Sequence, residues 1–322
     1  MTALLRNGWI VGLAVLLALL LVATKIIQPN FGASGLESLA RAALPFAFAT
    51  AAQAIVVIAG GIDLSIASMM AVASVTAAVL MDGASTGQSV LVVIFVLALG
   101  AAMGAINGAL IVITKVPDIV VTLAMLFVWE GVALLILKAP GGSSAEWLRG
   151  LIVGGLILPG VPEAWTGWIP KSFVVVVAAL CLVWLPLRRS KAGLSIYAVG
   201  SDESAAFRSG VPVARTKILA YSLCGLLAAM GGLVLTMSTG IGEPIPGPYL
   251  LASVAAVVLG GVVLGGGRGG LLGPIIAVFI LRLVRMDLTL MSVDPNVTTI
   301  IEGTIMVIVV MLGGILAVRD RK

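Results

Sequence analysis

Asp63 sits in VVIAGGIDLSIAS (56–68), a carboxylate inside an otherwise apolar hairpin. Placing a charged side chain at mid-bilayer costs about 2.5–3.5 kcal/mol on insertion scales, so an acid there is a functional candidate by default. Gly60 and Gly61 weaken the helix before it, and Ile62-Asp63-Leu64-Ser65 restarts one. Two roles fit these residue types. In the first, Asp63 or Ser65 caps the following helix and holds the break. In the second, Asp63, Ser65 and Ser68, with Gln53 earlier on the hairpin, touch or gate a polar solute. Glu130 and Glu302 are the other acids inside apolar runs, and the sequence names no partner for either.

Elsewhere the chemistry is sparse. The chain has no His and two cysteines, Cys181 and Cys224, both in apolar runs where a packed helix residue is expected. It has no HExxH and no G-x-S-x-G, and no paired acids in a soluble domain. No catalytic residue, no metal site and no cofactor bound by this chain is therefore expected. LGGVVLGGGRGGLLG (259–273) is glycine-rich like a phosphate loop, but no Lys-Ser or Lys-Thr pair follows the glycines. It reads as close helix packing and a tight turn carrying Arg268.

The most basic polar stretch is RRSKAGLSIYAVGSDESAAFRSGVPVARTK (188–217). Its middle predicts a short helix over 202–209. Ser201 is the expected N-cap, Asp202 and Glu203 bring negative charge to the first turn, and Arg208 brings positive charge to the last. Gly210 suits the left-handed position after the helix, and Pro212 stops continuation. Isolated helices of under ~12 residues rarely hold in water, so this one must dock. It docks either on its own protein or lipid headgroups, or on a soluble partner, with Ala205 and Ala206 small enough for a groove.

Composition sets the elements that position these residues. Hydrophobic residues make up 61% of the chain and charged ones 10%, against about 25% charged in soluble domains; mean hydropathy is +1.22. This is an all-α polytopic membrane protein, one transmembrane domain over 1–322, with no call for nucleic acid. Apolar runs predict about ten spans, near 9–23, 42–61, 66–81, 90–113, 119–137, 173–187, 218–237, 250–264, 271–284 and 297–318. The first reads as an uncleaved span. Lys and Arg concentrate on the side holding 188–217, which places that stretch and both termini in the cytoplasm. The segment 139–171 then lies outside. It carries Trp147, Trp165 and Trp168 around the apolar patch 151–158, which is too short to span and suits an interfacial belt or an external platform.

GGIDLSIAS (60–68), VPDIVVTLAMLF (116–127), YAVGSDESAAFRSGV (197–211) and VVLGGVVLGGGRGGLLGPIIAV (257–278) resemble the permease subunits of ribose/xylose-type ABC sugar importers. The resemblance covers most of the chain in order. It implies a type II importer permease in the bacterial inner membrane, paired with a second permease copy or paralogue. It also implies a cytoplasmic ATPase subunit that carries ATP and Mg, and a periplasmic sugar-binding protein. The loop matching 188–217 is then where the ATPase docks. Departures stand at Ile66-Ala67-Ser68 (usually Val-Gly-Ser), Ser201-Asp202-Glu203 (often Asn-Glu-Glu) and Pro117-Asp118 (often Pro-Pro). They bear on the substrate and allow a heteromeric pair. The alternative class is a secondary transporter or channel for a small polar solute, which needs no docking loop.

Overall fold

The computed structural model describes residues 8–157, 166–245 and 247–319. Trp165, Leu158 at the end of the apolar patch, and both extreme termini lie outside the described residues. Helices occupy all ten predicted runs. They are α1 (Gly8–Ile27), α2 (Ala33–Ile58), α3 (Ile66–Met81), α4 (Thr86–Thr114) and α5 (Asp118–Ile136). A short α6 (Glu146–Gly150) precedes α7 (Lys171–Ala179), which runs through a π-helical turn (Leu180–Trp184) into α8 (Leu185–Arg189). Then come α9 (Lys191–Ser201), α10 (Glu203–Arg208), α11 (Val213–Thr239), α12 (Tyr249–Leu259), α13 (Leu272–Leu290) and α14 (Pro295–Arg319). Six are long and apolar enough to cross a membrane alone: α1, α2, α4, α5, α7–α8 taken together, and α11. The chain is a multi-pass membrane protein.

Helix α11 is the axis of the bundle and packs along α4, α2 and α3. Small residues let the backbones meet, since lipid supplies no hydrophobic drive between helices. Gly100, Gly104 and Gly108 recur every fourth residue on α4 and face Gly225 and Tyr221 of α11. A Cβ on Gly104 would strike the Tyr221 carbonyl, and one on Gly225 would strike the Gly100 carbonyl. Further along, Gly232 admits the backbone of α3, where the hydroxyls of Ser74 and Thr236 meet at 2.8 Å. Helix α2 is buried on nearly every side, which fits a helix that is apolar all round.

The eighth predicted run is the one that overruns its helix most. Helix α12 stops at Leu259 rather than Leu264, and its 11 residues are too few to cross about 30 Å of hydrocarbon. The reason is its glycines. Gly261 takes φ +82; its N–H donates to Val258 O at 2.9 Å, and Val262 N–H donates to Val257 O at 3.1 Å. Helix α2 ends the same way. Gly60 takes φ +89, its N–H donates to Val57 O at 3.0 Å, and Gly61 N–H to Val56 O at 2.9 Å. Both are Schellman ends, which satisfy loose carbonyls. So VVIAGG (56–61) and VVLGGV (257–262) are two copies of one helix-ending device, each followed by an apolar partner helix. The two breaks touch, with Gly267 N–H donating to Ile58 O at 2.9 Å.

At the opposite end of the bundle, 139–157 and 166–171 fold across the helix ends. Gly141 and Gly242 exchange backbone bonds at 3.2 and 2.7 Å. Trp147 Nε1 donates to Ser89 Oγ at 2.8 Å, and Gly154 N–H donates to Glu37 at 2.8 Å. Ile152 is fully buried. The described residues of the segment form a packed cap over the helix ends.

The α4–α11 contact predicts the effect of filling it. Gly104→Leu forces the helices apart, at a cost of about 1–3 kcal/mol. Thermal unfolding of the purified variant in detergent checks this. An unchanged midpoint contradicts the packing.

Candidate functional site

The break over 59–65 is where the chemistry-bearing residues gather. Asp63 is fully buried. Its Oδ1 accepts from the backbone N–H of Ser65 at 2.8 Å and from Ser65 Oγ at 2.6 Å. This Asx-type turn starts α3. Asn107 of α4 donates to Ser65 Oγ at 2.8 Å and to Asp63 Oδ2 at 3.4 Å. Trp129 of α5 donates to Asn107 Oδ1 at 3.3 Å, and Cys224 of α11 places its Sγ 3.8 Å from Asp63 Oδ2. Ser68 Oγ donates to Ser65 O at 2.8 Å. Of the capping pair, Asp63 holds the turn and Ser65 makes no side-chain cap. The structure brings Asp63, Ser65 and Ser68 together. Gln53 stands apart on α2, with both amide atoms buried and no bonding partner among the described residues.

A second pair flanks the same break. Tyr221 of α11 donates to Asp118 Oδ2 of α5 at 2.8 Å. Thr122, one turn further along α5, donates to Asp118 O at 2.8 Å, with Ile62 O at 3.3 Å as a longer second acceptor. Gly61 lies under the Tyr221–Asp118 pair, and a Cβ there would overlap both. Sequence reading marked Asp118 only as a departure from a family pattern. Its partner 103 positions away carries no local signal, and neither does Asn107.

The basic stretch 188–217 holds two capped helices, α9 and α10, where one was expected. Ser190 caps α9, its Oγ accepting from Gly193 N–H at 3.1 Å. The expected cap at Ser201 is corrected: Ser201 ends α9 and donates to Tyr197 O at 2.9 Å. Asp202 is the N-cap of α10, with extended backbone and Oδ1 accepting from Ala205 N–H at 2.8 Å. The chain needs one non-helical residue between the two helices, and Asp202 occupies it. Glu203 pairs with Lys217 at 2.8 Å, tying α10 to the start of α11. Arg208 falls in the last turn as expected. Gly210 takes φ +82, and Gly210 and Val211 N–H groups close a third Schellman end onto Phe207 O and Ala206 O. Ala206 is buried in the chain's own packing, so it is not available to a partner groove as expected; Ala205 is only half-buried. Phe207, which the sequence reading passed over, is 72% exposed.

Helix α9 seats this unit on the two breaks. Gly200 meets them backbone to backbone, and a Cβ there would strike the Ile58 carbonyl and Gly267. Tyr197 Oη donates to Gly269 O at 2.7 Å. Burial pushes the Tyr197 phenol above its ordinary value, against the opposing charge of Arg188. Beside α10, a cleft of about 810 Å³ opens between the α4–α5 turn (Lys115, Val116, Asp118) and Glu203, Phe207, Arg215 and Lys217. Among the described residues, no group of three or more acids and cysteines gathers as a metal site. The arrangement is mechanical: a rigid pair of short helices pressed on two interrupted membrane helices.

Asp63 offers a direct test of its role. Asp63→Asn keeps the bond from Ser65 N–H but sets amide against amide at Asn107, and costs about 1 kcal/mol. Asp63→Leu strands the Ser65 and Asn107 donors and costs on the order of 3 kcal/mol. Unfolding midpoints and uptake are measured together. Loss of uptake in the Asn variant at near-normal stability assigns the carboxylate charge a role of its own.

Comparison with known proteins is consistent with this architecture. The chain is 29% identical over 323 residues to the autoinducer 2 import system permease protein LsrD of Escherichia coli K12, covering 95% of this chain and 92% of the relative. The same protein from Shigella flexneri matches at 29% over the same shares. No solved structure matches. Residues 35–310 match the family model of the branched-chain amino acid transport system permease component, and the chain belongs to that family of membrane permeases.

Proposed function

We propose that the chain forms the membrane path of an ATP-driven importer for a sugar-like solute, and that α9 and α10 receive the motion of a separate ATPase subunit. The observation that carries this reading is the seat of α9 on both breaks. A push on α10 reaches α11 through Glu203–Lys217, and reaches the 59–65 and 260–271 breaks through Gly200. The chain is a transport subunit and not an enzyme; ATP and Mg are held by the partner. Similarity to an autoinducer 2 import system permease supports a small solute as cargo; in this reading an external binding protein delivers it. In this reading the α9–α10 end and both termini face the cytoplasm across a bacterial inner membrane. The bundle pairs with a second permease copy or paralogue. Exposed Phe207, half-buried Ala205 and the charged cleft beside α10 make the ATPase contact, with Asp202, Glu203, Arg208 and Gly210 holding its shape. Ser201 fixes the end of α9.

Gly210→Val forces a β-branched residue into the left-handed region and unseats the α10 end. Ala205→Glu places a charge on the docking face. Both variants insert normally and recover less ATPase per permease in a pull-down, by tenfold or more on the order of 1.4 kcal/mol per decade. Wild-type recovery and wild-type solute-stimulated hydrolysis in both variants make α10 a connector only.

A further inference from the structure

Far from the breaks, α2, α12, α13 and α14 enclose a second polar group that the transport mechanism above does not use. The Arg282 guanidinium of α13 lies over the Phe46 ring of α2 at 5.0 Å and the Tyr249 ring of α12 at 5.7 Å. Its Nε is buried, and no described residue accepts from it. One turn away, Arg285 pairs with Glu302 of α14 at 3.3 Å. The described ion pairs are that one and Lys217–Glu203, so Arg282 has no carboxylate of its own. Two arginines and one glutamate leave a net positive charge among apolar helices. Aromatic faces offset part of it by cation–π attraction, and hydroxyls, being neutral, cannot balance the rest. Arg282, Arg285, Glu302, Phe46, Pro248 and Ala252 border a small cavity of about 30 Å³. That is room for one or two water-sized groups, not for a sugar ring.

We infer that Arg282 is the anchor of an oxyanion subsite, in which a carboxylate- or phosphate-like group of the transported solute accepts charge-assisted bonds from the guanidinium. The geometry suits this chemistry. The guanidinium fork presents paired N–H donors that match two oxygens of one anionic group. The ring faces fix the plane of the fork, and Glu302, the carboxylate that borders the same cavity, is held by Arg285. The inference rests on the importer reading for the identity of the anion's carrier, since a phospholipid headgroup offers the same phosphate oxygens.

The test uses the full chain alone, without ATPase, so its failure leaves the importer reading intact. The protein is purified in a phosphate-free maltoside detergent. Its unfolding midpoint is followed against inorganic phosphate and acetate, with chloride at matched ionic strength as control. Arg282→Met keeps the stem and removes the charge. Replacing a buried charge by an apolar side chain of similar shape is often neutral or stabilising, so this variant folds; Arg282→Lys is the conservative companion. Phosphate or acetate is expected to raise the wild-type midpoint beyond chloride. The half-saturating concentration should rise by about tenfold in Arg282→Met, with Arg282→Lys between. Native mass spectrometry supplies the second arm. Phospholipid retained by wild type and lost in Arg282→Met, with no protection by free anions, assigns the site to lipid and overturns the solute inference. Equal behaviour of wild type and Arg282→Met in both arms overturns the oxyanion site altogether.

Discussion

A helix that ends against other helices leaves loose backbone groups, and where these are buried the protein must supply their partners. This chain ends two helices side by side against other backbones, α2 at Ile58 and α12 at Leu259. Each end is closed by a glycine in the left-handed region. Each break is then lined by other backbones or by side chains carried in from neighbouring helices. Ile58 O is taken by Gly267 N–H, and the turn before α3 is held by Asp63. Because the partners come from α4, α5, α9, α11 and the loop after α12, much of the bundle is organised around keeping the two breaks bonded.

The same constraint explains the glycines and the buried acid. Gly61 is small because Tyr221 and Asp118 close over it, and Gly200 is small because α9 must approach the end of α2 at backbone distance. Asp63 is tolerated because its oxygens accept from Ser65 and Asn107, which compensates the loss of water. A fully bonded buried network of this kind has few alternative arrangements. In the proposed function, such a network passes motion at α9 on to the breaks.

How much of this was legible in the sequence follows from the range of each interaction. The spans were readable, and α3 falls at the residues its apolar run marks, because hydrophobic length is a local property. Gly210 and the acidic start of α10 were readable for the same reason: caps act within one turn. The choice of Asp202 over Ser201 was not, since it depended on α9 being a helix, and YAVG gives no strong helical signal. Ala206 against Phe207 could not be told apart without knowing which face α10 turns inward. Asn107, Asp118 and Tyr221 were invisible as a group, because their partners lie 42 to 103 positions away. The apolar reach of 250–264 overran α12, since hydropathy does not register a left-handed glycine.

The claim on which the rest depends is that displacement of α9 and α10 is carried to both interrupted helices. Amide hydrogen exchange on the intact permease–ATPase complex, with and without ATP, addresses it most directly. The account predicts that protection over 191–211, 58–66 and 257–271 changes together when nucleotide binds. A change confined to 191–211, with the two breaks exchanging as before, contradicts it.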